Sequence, residues 1–316
     1  MRYRVVFFGT PEFAVPSLQA LLDGPDAIAG VVCQPDKPAG RGQQPQHPPV
    51  KRLAESHGVP VAQPVKLKTD EFPALLRGWS PDLIVVAAYG RILPRSVLDL
   101  PRLGCVNVHA SLLPKYRGAA PIQWALLRGE STTGVTIMRM NERMDEGDIL
   151  LQRTTSIEPA DSYGELQRRL AALGAVALME ALTALHSGGL RAVPQDDSAA
   201  SYAAMIHKPD GAIDWLLPAA EIARRVRAFN PWPSAFTRHR GRLLKIHRAR
   251  ALAEPSAAPP STVVAIGDDI RVATGAGVLA IEELQLEGKR SLPAQAFGRG
   301  GGLAVGDRLG VLVADD

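Results

Sequence analysis

The sequence contains little cysteine and no long apolar run. Only Cys33 and Cys105 occur among 316 residues, so we expect a reducing compartment and interpret both thiols as buried apolar positions rather than a disulfide framework. The N-terminal apolar run from Val5 to Phe8 is too short for a signal peptide, and no stretch approaches about 18 uninterrupted apolar residues. A cytoplasmic protein that does not enter a membrane is therefore predicted.

Cofactor motifs and metal-ligand spacing are also missing. The first predicted strand ends in Phe8-Gly9-Thr10-Pro11, without the glycine pattern that lets a pyrophosphate approach a helix N-terminus. There is no Walker-type lysine loop either, so NAD and ATP are disfavoured. The seven histidines include no pair at i and i+4, and no Cys-x-x-Cys occurs, so no metal is expected.

The length and composition are those of a folded protein with two domains. Hydrophobic residues make up 46% of the chain and charged residues 22%, which is typical of a globular protein, and one domain usually takes about 100–200 residues. The 36 Lys and Arg against 32 Asp and Glu give a net charge of +4. This charge permits an anionic partner without requiring one.

The first part of the sequence alternates short apolar strands with helical segments, which predicts a doubly wound parallel sheet. The strands are predicted at 4–8, 28–34, 83–88, 105–109 and 135–140. A long helix is predicted from Asp161 or Ser162 to Leu185, with Ser162 and Glu165 spaced as a capping box. We place this domain at residues 1–189 and a linker at 190–208.

Residues 209–316 form the second predicted domain, which begins with a helix at 219–228. Short strands punctuated by glycine and proline indicate a small barrel or meander. They are predicted at 243–247, 262–266, 270–273, 278–286 and 309–313.

One polar segment follows the predicted strand that ends at His109. Asn107 and His109 are two residues apart and should project from one face of the strand, at the sheet end where open α/β proteins bind ligands. A carboxamide beside an imidazole can polarise a carbonyl and move a proton. The alternative is that polar residues at a strand end only hydrogen-bond to a neighbouring loop.

An acidic turn, Met144-Asp145-Glu146-Gly147-Asp148, follows the next predicted strand. Because adjacent strand ends in such a sheet converge on one crevice, Asp145 could reach His109 and fix its tautomer, although the pattern does not choose among the three carboxylates. A Ser-His-Asp hydrolase using Ser111 is disfavoured. Ser111 lacks the G-x-S-x-G turn and lies only two residues from His109.

Basic residues are concentrated between Ile222 and Arg250, where nine cations occur without Asp or Glu and are interleaved with aromatic residues. Such a segment suits a phosphate backbone, although an ordinary solvated face with core aromatics is the alternative. The cations are Arg224, Arg225, Arg227, Arg238, Arg240, Arg242, Lys245, Arg248 and Arg250. A second candidate is the loop 35–49, where Gly40 and Gly42 leave Arg41 free to reach a phosphate.

Several runs together resemble the bacterial methionyl-tRNA formyltransferases over nearly the whole chain. They are FFGTPEFAVPSLQALL at the N-terminus, QPDKPAGRG at 34–42, NVHASLLPKYRGAAPIQWALLRGE at 107–130, TGVTIMRMNERMDEGDIL at 133–150 and FNPWP at 229–233. The central runs are shared with the wider formyltetrahydrofolate-dependent superfamily. They therefore specify formyl chemistry but not the acceptor.

The resemblance implies a Rossmann-like catalytic domain followed by a smaller OB-like β-barrel. It also implies transfer of a formyl group from 10-formyltetrahydrofolate to the methionine on initiator methionyl-tRNA, a step of translation initiation. The catalytic residues of the family fall on Asn107, His109 and Asp145. By similarity, the folate site is lined by Ser111, Leu112, Leu113 and Pro114.

The resemblance further implies that Arg41 enters the tRNA acceptor stem, and we expect the basic segment to contribute Arg224, Arg227, Arg238, Arg240, Arg242 and Lys245. A monomer is expected. Two alternatives stay open. A sugar-amine formyltransferase would share the catalytic residues but would not need the basic segment, and an inactive RNA-binding protein would bind tRNA without a folate site.

Overall fold

The computed structural model describes residues 2–39 and 44–310. The contacts between residues divide the chain into two compact units. Each unit is made of three sequence segments, and the segments of the two units are interleaved along the chain. The first unit comprises Met1–Pro121, Thr132–Ser156 and Gln167–Ala204. The second comprises Ile122–Ser131, Ile157–Leu166 and Met205–Asp316.

The first unit is built on a mixed sheet. Its strands are β1 (Arg4–Gly9), β2 (Ala27–Val32), β3 (Lys37–Ala39), β4 (Gln44–Gln46), β5 (Val61–Ala62), β6 (Leu83–Ala87), β7 (Cys105–His109), β8 (Arg117–Gly118), β9 (Thr132–Arg139), β10 (Ile149–Ser156) and β11 (Tyr202–Ala203). Seven of them form the sheet β10-β9-β7-β6-β1-β2-β5, while β3 pairs with β4 and β8 with β11. Strand β11 lies inside the predicted linker.

Helices connect these strands and extend beyond them. They are α1 (Val15–Leu22), α2 (Pro49–Ser56), α3 (Glu71–Trp79), α4 (Arg95–Leu98), α5 (Pro121–Arg128) and α6 (Tyr163–His186). The predicted capping box of α6 is confirmed, because Glu165 accepts from the Ser162 amide at 2.8 Å. By length and composition α6 is long and apolar enough to cross a membrane, and 44% of its apolar window is buried inside the protein.

The parallel part of the sheet has the predicted doubly wound order. Strand β1 pairs in parallel with β2 on one side and with β6 on the other, and β6 pairs in parallel with β7. All five residues of β6 are buried, which explains its continuous apolar sequence, since a central parallel strand is covered on both faces. The strand order reverses between β1 and β6, so a crevice is expected at their carboxyl ends.

The prediction that the strand at 135–140 runs parallel is wrong. Strand β9 begins at Thr132 and is antiparallel to β7, with His109 opposite Thr136. The connection from β7 contains only one short helix and does not carry the chain back to the other end of the sheet, as a parallel pairing requires. The antiparallel strand β10, which pairs with β9, was not predicted because its sequence is half polar.

The second unit contains an antiparallel β-sheet, together with most of α5 and the start of α6. Its elements after Met205 are α7 (Ala219–Ala228), β12 (Ala235–His239), β13 (Arg242–Leu252), β14 (Val263–Ile266), β15 (Ile270–Ala273), β16 (Val278–Leu286), β17 (Leu292–Pro293) and α8 (Ala294–Arg299). The sheet order is β12-β13-β16-β15-β14, with β17 beside β16. The fold class predicted from the sequence, an α/β domain followed by a smaller β domain, is confirmed.

The strands predicted for this unit differ from the structure at two places. The strand β12 was not predicted, although it forms a hairpin with β13 through Arg240 and Gly241. In the strand predicted at 309–313, neither Leu309 nor Gly310 is extended in a ladder, and the chain makes only an isolated bridge between Thr262 and Arg308. Residues 311–313 lie outside the described residues.

The core of the parallel sheet generates a stability prediction. Ile84 on β6 is fully buried within an apolar cluster against which Trp79 packs. Ile84→Ala should lower the free energy of unfolding by about 2–5 kcal/mol, because it removes buried methylenes and leaves a cavity. Urea unfolding followed by tryptophan fluorescence measures this loss. Ile92→Ala is the matched control, since Ile92 is 68% exposed, and a shift as large as that of Ile84→Ala would contradict the prediction.

Candidate active site

His109 is the last residue of β7 and is 5% exposed. Its Nε2 lies 3.0 Å from the carbonyl oxygen of Tyr116. Because a carbonyl only accepts, Nε2 carries a proton in this contact. Nδ1 faces Asp145, with 3.7 Å between Nδ1 and Oδ2. The ring is therefore held by a loop on one side and faces a carboxylate on the other.

Asp145 belongs to the loop between β9 and β10 and has a positive φ of 57°. Its Oδ2 accepts a hydrogen bond of 2.9 Å from the amide of Gly118. Since β9 is antiparallel to β7, the converging strand ends expected from the sequence do not explain this placement. Instead, residues 140–148 fold back toward the carboxyl end of β7.

Of the other two acidic residues of the turn, Glu146 faces two arginines, since its carboxylate lies 3.8 Å from Arg117 and 3.4 Å from Arg143. Asp148 joins the sheet through its backbone, where its carbonyl accepts from the amide of Arg139. Of the three acidic residues that the pattern leaves open, Asp145 is the one that the structure brings to His109.

Asn107 lies two residues before His109 on β7 and is half-buried. Strand β7 is an interior strand, with Asn107 opposite Val86 on β6 and Met138 on β9. Residues two apart on a strand project from the same face. Asn107 and His109 thus share one face of the sheet.

The segment 111–114 forms a compact loop that is fixed by internal hydrogen bonds. Ser111 is fully buried, and its hydroxyl donates to the carbonyl of Lys115 at 2.6 Å. That bond uses the single proton of the Ser111 hydroxyl, which argues further against a Ser-His-Asp arrangement. Leu113 is buried, whereas Leu112 and Pro114 keep part of their surface exposed. The peptide bond between Leu113 and Pro114 is cis.

Thr136 connects this loop to the sheet. Its hydroxyl donates to the Ser111 carbonyl at 2.7 Å and accepts from the Leu113 amide at 3.1 Å. Gln152 on β10 donates to the Leu113 carbonyl at 2.9 Å. Neither Thr136 nor Gln152 was found by sequence reasoning, because each lies on a strand remote from the loop in sequence.

Arg117 and Gln195 were also missed. Arg117 is 2% exposed and donates to Gln195 at 3.0 Å and to Asp197 at 2.7 Å. Burial would lower the pKa of Arg117, but the hydrogen bonds to Asp197 and Tyr202 and the charge of Glu146 raise it. A buried arginine has no local sequence signal, and Gln195 lies in a polar segment that is typical of a linker.

The basic segment belongs to the second unit, and part of it is occupied by internal contacts. Arg224 donates to the carbonyl of Leu127 and Arg227 to that of Asp161. Burial lowers the pKa of Arg227. These two arginines are half-buried, so only part of each side chain is available to a partner.

Other cations of the segment have acidic partners from outside it. Arg240 pairs with Asp307 at 3.5 Å, and Arg248 pairs with Glu282 at 2.9 Å. Arg225 pairs with Glu221, and Arg250 pairs with both Asp269 and Glu282.

The remaining three cations of the basic segment are Arg238, Arg242 and Lys245. In the part of the chain that the structure describes, none of them lies within 4 Å of a carboxylate oxygen. Trp232, in the same stretch of sequence, is 52% exposed. The predicted contact residue Arg41 lies outside the described residues.

Two family models match the chain. One, described as formyl transferase, matches residues 1–182, and the other, described as formyl transferase, C-terminal domain, matches residues 205–302. The first model covers more than half of the chain and contains the whole His109 and Asp145 arrangement. The chain belongs to the formyl transferase family.

Comparison with individual proteins narrows the family. A methionyl-tRNA formyltransferase from Myxococcus xanthus is 51% identical over 308 residues, which are 97% of this chain and 98% of that protein. HypX from Aquifex aeolicus superposes with a TM-score of 0.65 at 18% identity, covering 97% of this chain and 49% of HypX. An N-formyltransferase from Helicobacter canadensis, in complex with folinic acid and dTDP-3-aminofucose, has a TM-score of 0.64 at 17% identity, covering 88% and 99%.

The two solved structures, at 17–18% identity, show only that the fold is shared. The 51% identity to the Myxococcus xanthus protein over nearly the full length of both chains shows the group within the family. Within the formyl transferases, this chain belongs to the group of methionyl-tRNA formyltransferases. The family resemblance stated from the sequence is confirmed.

Loss of the Thr136 hydroxyl should destabilise the loop 111–114. Thr136→Val keeps the shape of the side chain but removes the partner of the Leu113 amide, and an unsatisfied buried donor costs about 1–3 kcal/mol. We expect that loss in urea unfolding, together with faster amide hydrogen exchange of the loop. Thr132→Val, at the exposed start of the same strand, should change neither. Equal exchange rates in the two variants would refute the role of Thr136.

Proposed function

We propose that this chain transfers the formyl group of 10-formyltetrahydrofolate to the α-amino group of methionine on initiator methionyl-tRNA. The product is N-formylmethionyl-tRNA for the initiation of protein biosynthesis. The observation that carries the proposal is the pairing of His109 with Asp145 beside Asn107, in a chain that belongs to the methionyl-tRNA formyltransferases. The folate donor is supported by the family.

In the proposed reaction, the neutral amine nitrogen attacks the formyl carbon and a C–N bond forms. The carbonyl oxygen gains negative charge until the bond between the formyl carbon and N10 breaks. The proton lost by the amine is returned to N10, so the second product is tetrahydrofolate. The protein must therefore stabilise an oxyanion and move one proton.

The three polar side chains are suited to these tasks. The carboxamide of Asn107 can donate to the oxyanion. Nε2 of His109 is engaged with Tyr116, so Nδ1 is the ring nitrogen that is left to donate or accept a proton. Asp145 would orient the ring and assist proton transfer. The distance of 3.7 Å is longer than a hydrogen bond, and such contacts often tighten when the substrate binds.

The loop 111–114 is proposed to line the folate site. Because Leu112 and Pro114 are partly exposed while Ser111 and Leu113 are buried, the first two would contact the donor. Ser111 would maintain the shape of the loop through its bond to Lys115.

The tRNA is proposed to bind Arg41 and the basic segment, through Arg224, Arg227, Arg238, Arg240, Arg242 and Lys245. Arg238, Arg242 and Lys245 would contribute most, because they form no ion pair with any of the residues that the structure describes. Catalysis is proposed in the domain predicted at 1–189 and tRNA binding in residues 209–316. Of the linker predicted at 190–208, the residues up to Ala204 belong to the first unit by their contacts. The enzyme is proposed to act as a cytoplasmic monomer, without a metal and without a membrane.

The first experiment combines the purified chain with 10-formyltetrahydrofolate and methionyl-initiator tRNA and measures formylmethionyl-tRNA. Elongator methionyl-tRNA is the control, and we expect product from the initiator alone. His109→Ala should lower kcat by about 100-fold or more, because positioned acid–base groups contribute about 10²–10⁴.

The assay also separates the alternatives. Donor binding without tRNA product would favour another amine acceptor, such as an amino sugar. A His109→Ala variant that folds normally and keeps most of its kcat would exclude His109 from catalysis.

If the basic segment contacts tRNA phosphates, its cations should contribute to the salt dependence of tRNA binding. Replacing Arg238, Arg242 and Lys245 together by Gln should weaken tRNA binding and reduce the slope of log Kd against log salt by roughly 2, since each lost phosphate contact removes about 0.7–0.9. Filter binding over a range of salt concentrations measures this slope. The double variant Arg248→Gln and Arg250→Gln is the control, because both residues are already paired with acids. An equal or greater effect in the control would contradict the proposed contact surface.

A further inference from the structure

The backbone around Asp145 is held by a side chain that lies 50 residues later in the sequence. Gln195 donates from Nε2 to the Asp145 carbonyl at 2.8 Å and to the Gly147 carbonyl at 2.7 Å. These two bonds use both protons of the amide group. One side chain thus spans the turn that carries the carboxylate.

Arg117 determines the orientation of that amide. Its Nε donates to Oε1 of Gln195 at 3.0 Å. Because a guanidinium can only donate, rotation of the amide by 180° would place two donor groups against each other and would also remove both bonds to the turn. Arg117 is 2% exposed, so water cannot replace the Gln195 oxygen easily.

The turn needs such support because its backbone is unusual. Asp145 has a φ of 57°, a region in which a residue other than glycine costs of order 1–3 kcal/mol. A Cβ on Gly147 would lie 1.7 Å from the Arg139 carbonyl oxygen, so the turn lies directly against β9. Without Gln195, the carbonyl groups of Asp145 and Gly147 would lose this hydrogen-bond donor, and Asp145 could relax to a more favourable φ.

We propose that Gln195, oriented by the buried Arg117, is a positioning residue that fixes the Asp145 carboxylate against His109. The inference rests on the proposed function, because it assigns to Asp145 a part in formyl transfer. Gln195 touches no reacting atom in this scheme and acts only through the turn. Its effect should therefore fall on the catalytic step rather than on substrate binding.

Kinetics of two Gln195 variants provide the first test. Gln195→Ala removes the whole contact, and Gln195→Glu keeps the acceptor for Arg117 but loses both donors. Each should lower kcat by about 10- to 30-fold, since small misplacements of catalytic groups can cost up to about 100-fold, while the KM values for the folate donor and for tRNA stay within about threefold. Asp197→Asn is the matched control, because it changes the exposed partner of Arg117 and leaves Gln195 in place. It should stay within twofold of the unmodified chain.

A double-mutant cycle tests whether Gln195 acts through Asp145. In an Asp145→Asn background, Gln195→Glu should have much less effect than it has alone, because coupled residues are not additive. Independent losses that multiply would overturn the inference, as would a full kcat in both Gln195 variants. Thermal unfolding identifies any variant that fails to fold, and Gln195→Glu then carries the test in place of Gln195→Ala.

A readout without turnover separates this inference from the proposed function. The NMR signal of the His109 ring Cε1–H, assigned with a His109→Gln variant, should move in Gln195→Glu in the same direction as in Asp145→Asn. An unmoved signal in Gln195→Glu would overturn the positioning role even if the enzyme is active. Absence of formylmethionyl-tRNA with the unmodified chain would instead refute the proposed function, while the NMR comparison would still decide whether Gln195 sets the His109 and Asp145 contact.

Discussion

The geometry of the candidate site depends on the burial of one positive charge. A guanidinium removed from water must find acceptors within the protein, and leaving such a group unpaired costs several kcal/mol. Arg117 meets this requirement through Gln195 and Asp197, with Glu146 nearby. Gln195 also donates to the carbonyls of Asp145 and Gly147, the two residues that flank Glu146 in the chain. Gln195, one of the groups that compensate the buried cation, is thus also the group that holds the turn carrying Asp145.

The local part of this architecture could be predicted from the sequence, whereas the long-range part could not. The strands Cys105–His109 and Val278–Leu286 and the helix Ala219–Ala228 have the predicted bounds, because each has a clear apolar period between breaking residues. The direction of β9 depends on where the chain re-enters the sheet, which no local pattern reveals. Asp145 was therefore placed near His109 for a reason that the antiparallel strand excludes.

The same limit applies to charge. Between Ile222 and Arg250 the sequence shows nine cations and no acid, which indicates an uncompensated basic surface. The fold supplies acids from elsewhere, among them Glu282 and Asp307, and half-buries Arg224 and Arg227. Fewer of the nine cations are consequently free of acidic partners than the sequence indicates, and among the described residues these include Arg238, Arg242 and Lys245. Counting charges along a segment overstates the field when the partners come from distant strands.

The pairing of β11 with β8 has a consequence for how this family could vary its acceptor. Residues 183–204 lie between the two matched family regions, yet Gln195, Asp197 and β11 contact the first unit. Recombination that joined a different C-terminal module at residue 189 would discard these contacts, and one that joined it after Ala204 would retain them. A junction that retains the contacts of Gln195 and β11 with the first unit therefore lies after Ala204. The alternating pattern of helices and strands in the sequence places the junction earlier, at residue 189.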